Sequence, residues 1–123
     1  MAYTKKDFHI GQQVIVVNLD KLKGRQPEWV KYTAEVVKIG RTFVYAQLPG
    51  PWELKFDMET GLDAINMKYK VFVTLNDYID YHNTYMLRPA VRRAVEKQLQ
   101  ILSVDKLIEI AKILEVNTGG LIE

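Results

Sequence analysis

The stretch Ala34–Asp57 reads AEVVKIGRTFVYAQLPGPWELKFD, and its reading decides the fold. β-Branched and aromatic residues crowd both sides of Gly40-Arg41. That is the pattern of a β-hairpin around a tight turn, because glycine tolerates the positive φ such turns use. Pro49-Gly50-Pro51 then breaks the ladder, since proline has no N–H to donate. Trp52-Glu-Leu-Lys-Phe56 follows with strict alternation, Trp52, Leu54 and Phe56 against Glu53 and Lys55. A half-buried strand with one wet face has this pattern. The stretch therefore predicts a hairpin and a third strand folded round a small core.

On the N-terminal side, Trp29–Ile39 lengthens the first arm of the hairpin. Val30, Tyr32, Ala34, Val36 and Lys38 share one face, and Lys31, Thr33, Glu35, Val37 and Ile39 the other. This imperfect alternation implies a strand that bends and exchanges its covered face. Ile10–Val17 reads as an earlier strand, with Gly11 at a bend or bulge. Residues 1–9 read as a loose lead-in from which Phe8 and Ile10 begin to pack. Asn18–Glu28 has no period and holds Gly24 and Pro27, so it is expected to be a long loop. Connections of that length are functional or mobile. Beyond the hairpin, Asp57–Gly61 is a turn, Leu62–Asn66 is irregular, and Lys68–Val73 is a fifth strand with Tyr69, Val71 and Val73 on one face. Five short strands predict a small SH3-like barrel over residues 10–73.

The pattern changes at Thr74, which begins an expected helical extension over 74–116 with two to three helices. Thr74 is its N-cap and Asp77 suits the first turn. Pro89 costs a helix interior about 3 kcal/mol, so a kink or break is expected near Arg88. Ser103 caps a last helix, Val104–Glu115, whose Val104, Leu107, Ile108, Ala111 and Leu114 form an expected buried stripe. Asn117 and Gly119-Gly120 end it. The fold class is thus α+β, mainly β in its N-terminal part, and 123 residues fit one domain, 1–123.

Composition removes several function classes. Cysteine is absent, which excludes disulfides, thiol catalysis and thiolate metal sites and is compatible with a reducing cytosol. No run approaches the ~18–20 apolar residues of a membrane span. The first residues lack the apolar core of a signal peptide. A net charge of +2 does not argue for nucleic acid by itself. The two histidines, His9 and His82, are placed poorly for acid–base work. Asp80 precedes His82 by two positions, a spacing that does not bring side chains face to face on a helix. No metal-ligand spacing and no phosphate-cradling glycine loop is present. No catalytic, cofactor or metal site is therefore expected, and the chain reads as a binder.

Three sets of residues are candidates for that binding. Tyr78, Tyr81, His82 and Tyr85 recur at helical spacing and share a face. Such a face can dock a partner, and equally can pack the helix onto the barrel as a lid, which is the reading we favour. Lys21, Lys23 and Arg25 lie in the long loop. From Lys21 to Arg41 six cations face only Glu28 and Glu35. Arg88, Arg92, Arg93 and Lys97 oppose only Glu96, and like charges one turn apart favour an anionic partner or simply a solvated face. Phosphate contacts use groups of this kind, so nucleic acid is the alternative partner. Ile110 and Ile113 fall outside the expected stripe and leave an apolar edge suited to a homodimer through the C-terminal helix.

The runs Val37-Lys-Ile-Gly-Arg-Thr-Phe-Val-Tyr45, Trp52-Glu-Leu-Lys-Phe-Asp-Met-Glu-Thr-Gly61 and Leu102-Ser-Val-Asp-Lys-Leu-Ile-Glu-Ile-Ala-Lys-Ile-Leu114 carry a resemblance. Over about Ile10–Leu114 the chain resembles small β-barrel proteins of bacteriophages and mobile elements. The Lys38-x-Gly40-Arg41 hairpin and the Phe56-Asp57-x-x-Thr60-Gly61 turn are its most specific parts. Pro89 and the aromatic stripe depart from the charged helix of that group. The resemblance implies a non-enzymatic accessory protein acting in the host cytoplasm. It would bind a host or defence protein, with inhibition of a defence nuclease such as a CRISPR effector as one form, or else nucleic acid.

Overall fold

Alternation along Phe43–Leu48 places Val44, Ala46 and Leu48 inside and Phe43, Tyr45 and Gln47 outside, and that strand (β3) is the middle of a meander. The computed structural model describes residues 2–115. Its strands are β1 (Gln13–Asn18), β2 (Lys31–Ile39), β3, β4 (Trp52–Asp57) and β5 (Tyr69–Phe72). They form one antiparallel sheet in the order β4-β3-β2-β1-β5, curled into a half-barrel. Among the described residues two α-helices follow, α1 (Leu75–Leu99) and α2 (Val104–Ile113), where two to three are expected. The Asn117 and Gly119-Gly120 stop lies outside the described residues.

The bend expected in β2 is a bulge. Val36 pairs with Ala46 and Lys38 with Tyr45, so Val37 is the extra residue. Before it Tyr32, Ala34 and Val36 face the core. After it Ile39 packs inward, and Lys38 turns out with its ammonium 5.1 Å from the Tyr45 ring. The sheet's concave core gathers Val14, Val16, Ala34, Val36, Val44, Ala46, Leu48, Phe56 and Val71.

The lead-in is not loose. Tyr3 and Phe8 are buried with their rings 5.6 Å apart, and the Tyr3 N–H donates to the Met58 carbonyl at 2.9 Å. The Tyr3 hydroxyl accepts from the Val73 N–H at 3.1 Å and donates to Asp77 at 2.9 Å. Burial first, then the Asp77 carboxylate, push this phenol well above its ordinary pKa, against the opposing Val73 contact. The expected loop Asn18–Glu28 also holds more order than expected. A single 3-10 turn, Leu19–Leu22, is capped by Asn18 and buries Leu22.

Asp63 is the hinge of the chain's return to β5. The segment 61–64 bonds β4 on one side, Asp57 N–H to Leu62 and Ala64 N–H to Lys55, both with the partner's carbonyl accepting. On the other side the Asp63 N–H donates to Tyr69 and the Val71 N–H to Gly61. Stretches that periodicity leaves irregular can still be tightly bonded when side chains supply the partners. Gly61, last residue of the Phe-Asp-x-x-Thr-Gly turn, sits at φ +74, where an added Cβ would also lie 3.3 Å from the Val71 carbonyl oxygen. That explains the turn's glycine.

The chain forms two compact units, Met1–Tyr81 and His82–Glu123. The first runs past Thr74 because the start of α1 belongs to it: Tyr78 joins Val17 and Phe72 in a second cluster, with Trp29 and Tyr81 packed on it. Thr74 caps α1 as expected, its hydroxyl accepting from the Asp77 N–H at 3.1 Å. Pro89 neither breaks nor ends α1, so of the kink or break expected near Arg88 the break does not occur. The residues around it are exposed, so water can substitute for the one helical bond it removes. Pro89→Ala should therefore raise hydrogen-exchange protection in the following turns by about 1–3 kcal/mol. Unchanged exchange there would show that the helix does not carry the proline's cost.

Candidate partner-binding surfaces

The loop candidates stand on the surface as expected. Lys21, Lys23 and Arg25 are all exposed. Lys23 reaches Asp20 at 3.4 Å, and Lys68 reaches the same carboxylate from the chain before β5 at 3.6 Å. The long connection is thereby tied to β5, and the Leu19 N–H donates to the Lys68 carbonyl at 2.7 Å. Exposed pairs of this kind add little stability, so they hold the loop only lightly.

The aromatic helix candidates divide. Tyr78 is 7% exposed and packs edge-on to Trp29 at 6.1 Å and Phe72 at 5.9 Å, under the Lys31 ammonium at 4.9 Å. It is a core residue, which corrects its place among the partner contacts. Tyr81 is half-buried against Phe72 at 5.2 Å and Trp29 at 6.2 Å. Tyr85 is exposed. The lid reading therefore holds for the first two tyrosines, for the physical reason that α1 must cover the Phe72 side of β5. Lys70, beside them, lies 5.5 Å from the Tyr81 ring and donates to the Thr60 carbonyl at 2.8 Å; burial holds its ammonium below the ordinary pKa.

Arg88, Arg92, Arg93 and Lys97 are exposed on α1. So are the apolar residues of the same segment, including Leu87, Val91, Val95 and Leu99. On α2 the cap is as expected, Ser103 accepting from the Lys106 N–H at 3.3 Å. The expected buried stripe is not buried: Ile108 and Ala111 are half-covered, while Val104, Leu107 and Leu114 are exposed. Ile110 is half-covered and Ile113 exposed. Among the described residues from 82 to 115 none is buried.

Three features escaped the sequence. Tyr32, Trp52 and Tyr69 come from β2, β4 and β5, and their rings meet, Trp52 standing 5.8 Å from Tyr32 and 5.1 Å from Tyr69. Because β4 and β5 are opposite edges of the sheet, only its curl can bring these side chains together. Their shared signal was alternation alone, which places each ring on the inner face without saying which rings touch. Asp63, 1% exposed, accepts the N–H groups of Ile65, Asn66, Lys68 and Tyr69. Burial by itself would raise its carboxyl pKa, but these four donors outweigh it and hold the group below its ordinary value. The third feature is the Tyr3–Asp77 contact across most of the chain's length.

Nothing among the described residues groups three His, Asp or Glu side chains in a metal-binding arrangement. His82, half-buried in α1, contacts its neighbour Asn83 at 3.2 Å, and His9 is exposed. Two hollows on the sheet unit, of about 420 and 320 Å³, are lined by Tyr3, Lys5, Arg41 and Glu59 and by Phe43, Leu62, Ile65 and Met67 among others. Neither is lined by a histidine.

A family model described as Phage ProQ C-terminal-like domain matches residues 1–117. The chain belongs to that family. The match spans the curled sheet and both helices, and it agrees with the phage association that the hairpin and the Phe-Asp-x-x-Thr-Gly turn suggested. No curated protein and no solved structure matches the chain. Among the described residues no helix of this Phage ProQ C-terminal-like domain is long and apolar enough to cross a membrane.

Proposed function

We propose that this phage-type domain is a non-enzymatic accessory protein of the host cytoplasm that docks on a partner protein through its helical segment. The observation that carries the reading is the exposure of that segment. Leu87, Val91, Val95 and Leu99 recur every fourth residue along α1, so they lie along one side of the helix, and all are exposed. Apolar surface left in water costs about 25 cal/mol per Å², and laying a helix into a partner's groove recovers it. Arg88, Arg92, Arg93 and Lys97 run along the same helix and would favour a groove with an acidic rim. A host or defence protein, including a defence nuclease, is the partner class to test first.

The test is affinity capture from a host lysate, with and without nuclease treatment, using the native chain and a Val91→Asp, Val95→Asp chain. Both valines are exposed, so the double change should leave the unfolding of the sheet unit unaltered. The expected result is a captured protein that survives nuclease and is lost with the double variant. Capture of nothing, or equal capture by the variant, would refute the reading.

A second reading, nucleic-acid binding, is favoured by Lys68, which meets Lys23 at the Asp20 carboxylate in the loop that also carries exposed Lys21 and Arg25. It predicts binding whose logarithm falls steeply against log salt and weakens when those cations are removed. A flat salt response would dismiss it.

A further inference from the structure

Tyr32, Trp52 and Tyr69 meet on the inner side of the half-barrel. Trp52 is the centre of the group, crossing Tyr32 at 73° and Tyr69 at 86°. Rings set at right angles wall a corner, whereas a flat base needs a broad parallel face. Trp52 remains 36% exposed while Tyr32 and Tyr69 are half-buried, so solvent reaches the group at Trp52. We propose that this corner is an aromatic cage that receives a cationic side chain, an ammonium or guanidinium, presented by a partner protein.

Ring faces carry negative potential and attract cations, most strongly at tryptophan. The charges nearby reinforce this. Asp20 and Asp63 both act on the Tyr69 phenol; burial first, and then the fields of Tyr32, Asp20 and Asp63, raise its pKa. Asp63 is already saturated by its four N–H donors, which leaves Asp20 as the carboxylate able to meet a ligand. Asp20 holds Lys23 and Lys68, but both pairs are exposed and longer than 3.3 Å, so an arriving cation can displace them at little cost. The chain thus occupies its own acid with two lysines, and an external cation would take their place. This inference shares with the proposed function the premise that the partner is a protein. It uses no residue of the helical segment, so either can fail alone.

The test is NMR titration of the Trp52 indole N–H in the full chain, assigned with Trp52→Phe. The probes are Nα-acetyl-trimethyllysine methylamide, Nα-acetyl-arginine methylamide, and the neutral isostere of the first with carbon in place of its charged nitrogen. At least one cation should shift the Trp52 signal saturably, and bind about fivefold or more tighter than the isostere. Asp20→Asn, which removes only two solvent-screened ion pairs of little stability, should weaken the cation, and Lys68→Ala should strengthen it. Absence of a saturable shift with either cation would overturn the proposal. So would equal binding of the neutral isostere, which would make the corner an apolar pocket. A thymidine oligonucleotide that moved the Trp52 signal where the cations did not would assign the rings to bases instead.

Discussion

Asp63→Ala is expected to remove about 4 kcal/mol of stability, enough to unfold much of a domain whose total is typically 5–15 kcal/mol. The carboxylate receives Ile65 and Asn66 on Oδ1, at 3.1 and 2.9 Å, and Lys68 and Tyr69 on Oδ2, at 2.8 and 3.0 Å. Alanine would leave four donors without it, in the segment that joins β4 to β5. Asp63→Asn keeps the shape but turns an NH2 toward two of those donors, so its cost should be smaller, about 2 kcal/mol. The folded-state carboxyl is held below its ordinary value, so its contribution is fully present above the unfolded pKa of about 4 and is lost as pH falls through the folded pKa. Urea unfolding of the native chain should therefore show stability declining below about pH 4, with a shallower decline in Asp63→Asn. A loss under 1 kcal/mol for alanine at neutral pH would show that the network is not needed.

Tyr78→Ala is expected to cost about 3 kcal/mol, against less than about 1 kcal/mol for Tyr85→Ala. Tyr78 sits between Trp29 and Phe72 and carries the Lys31 ammonium on its face, so truncation opens a cavity in the second cluster and removes two edge contacts. Tyr85 is exposed and leaves no comparable cavity. Thermal unfolding ranks the two, and Trp29 fluorescence reports the cluster directly. A partner-facing Tyr78 would give the reverse order, with little stability loss.

These two residues also mark how far one-dimensional pattern reaches. Tyr78, Tyr81 and Tyr85 share a helical spacing, and the spacing alone shows that they share a face. Which part of that face is covered depends on where β5 delivers the chain: the cover reaches Tyr78 and Tyr81 and leaves Tyr85 exposed. Asp63 was hidden for another reason. Its neighbours have no period, and a carboxylate satisfied by backbone N–H groups looks, in sequence, like any loop aspartate. In sequence Tyr3 looks like part of a loose terminus because its partners, Met58, Val73 and Asp77, lie far along the chain.

By itself the sequence determined the local features. Alternation set the inner and outer faces of β3 and β4, Pro49-Gly50-Pro51 the break before β4, and Thr74 and Ser103 the helix starts; the hairpin does turn between Ile39 and Phe43, but Gly40 does not take the positive φ expected of it. Each of these rests on interactions between residues a few positions apart, so the residues carry the answer with them. Tertiary structure alone decided that Val37 is a bulge, that Leu22 and Tyr3 are core, and that Tyr32, Trp52 and Tyr69 form one cluster. Those outcomes depend on strand order and on the curl of the sheet, which bring together residues that no local period relates.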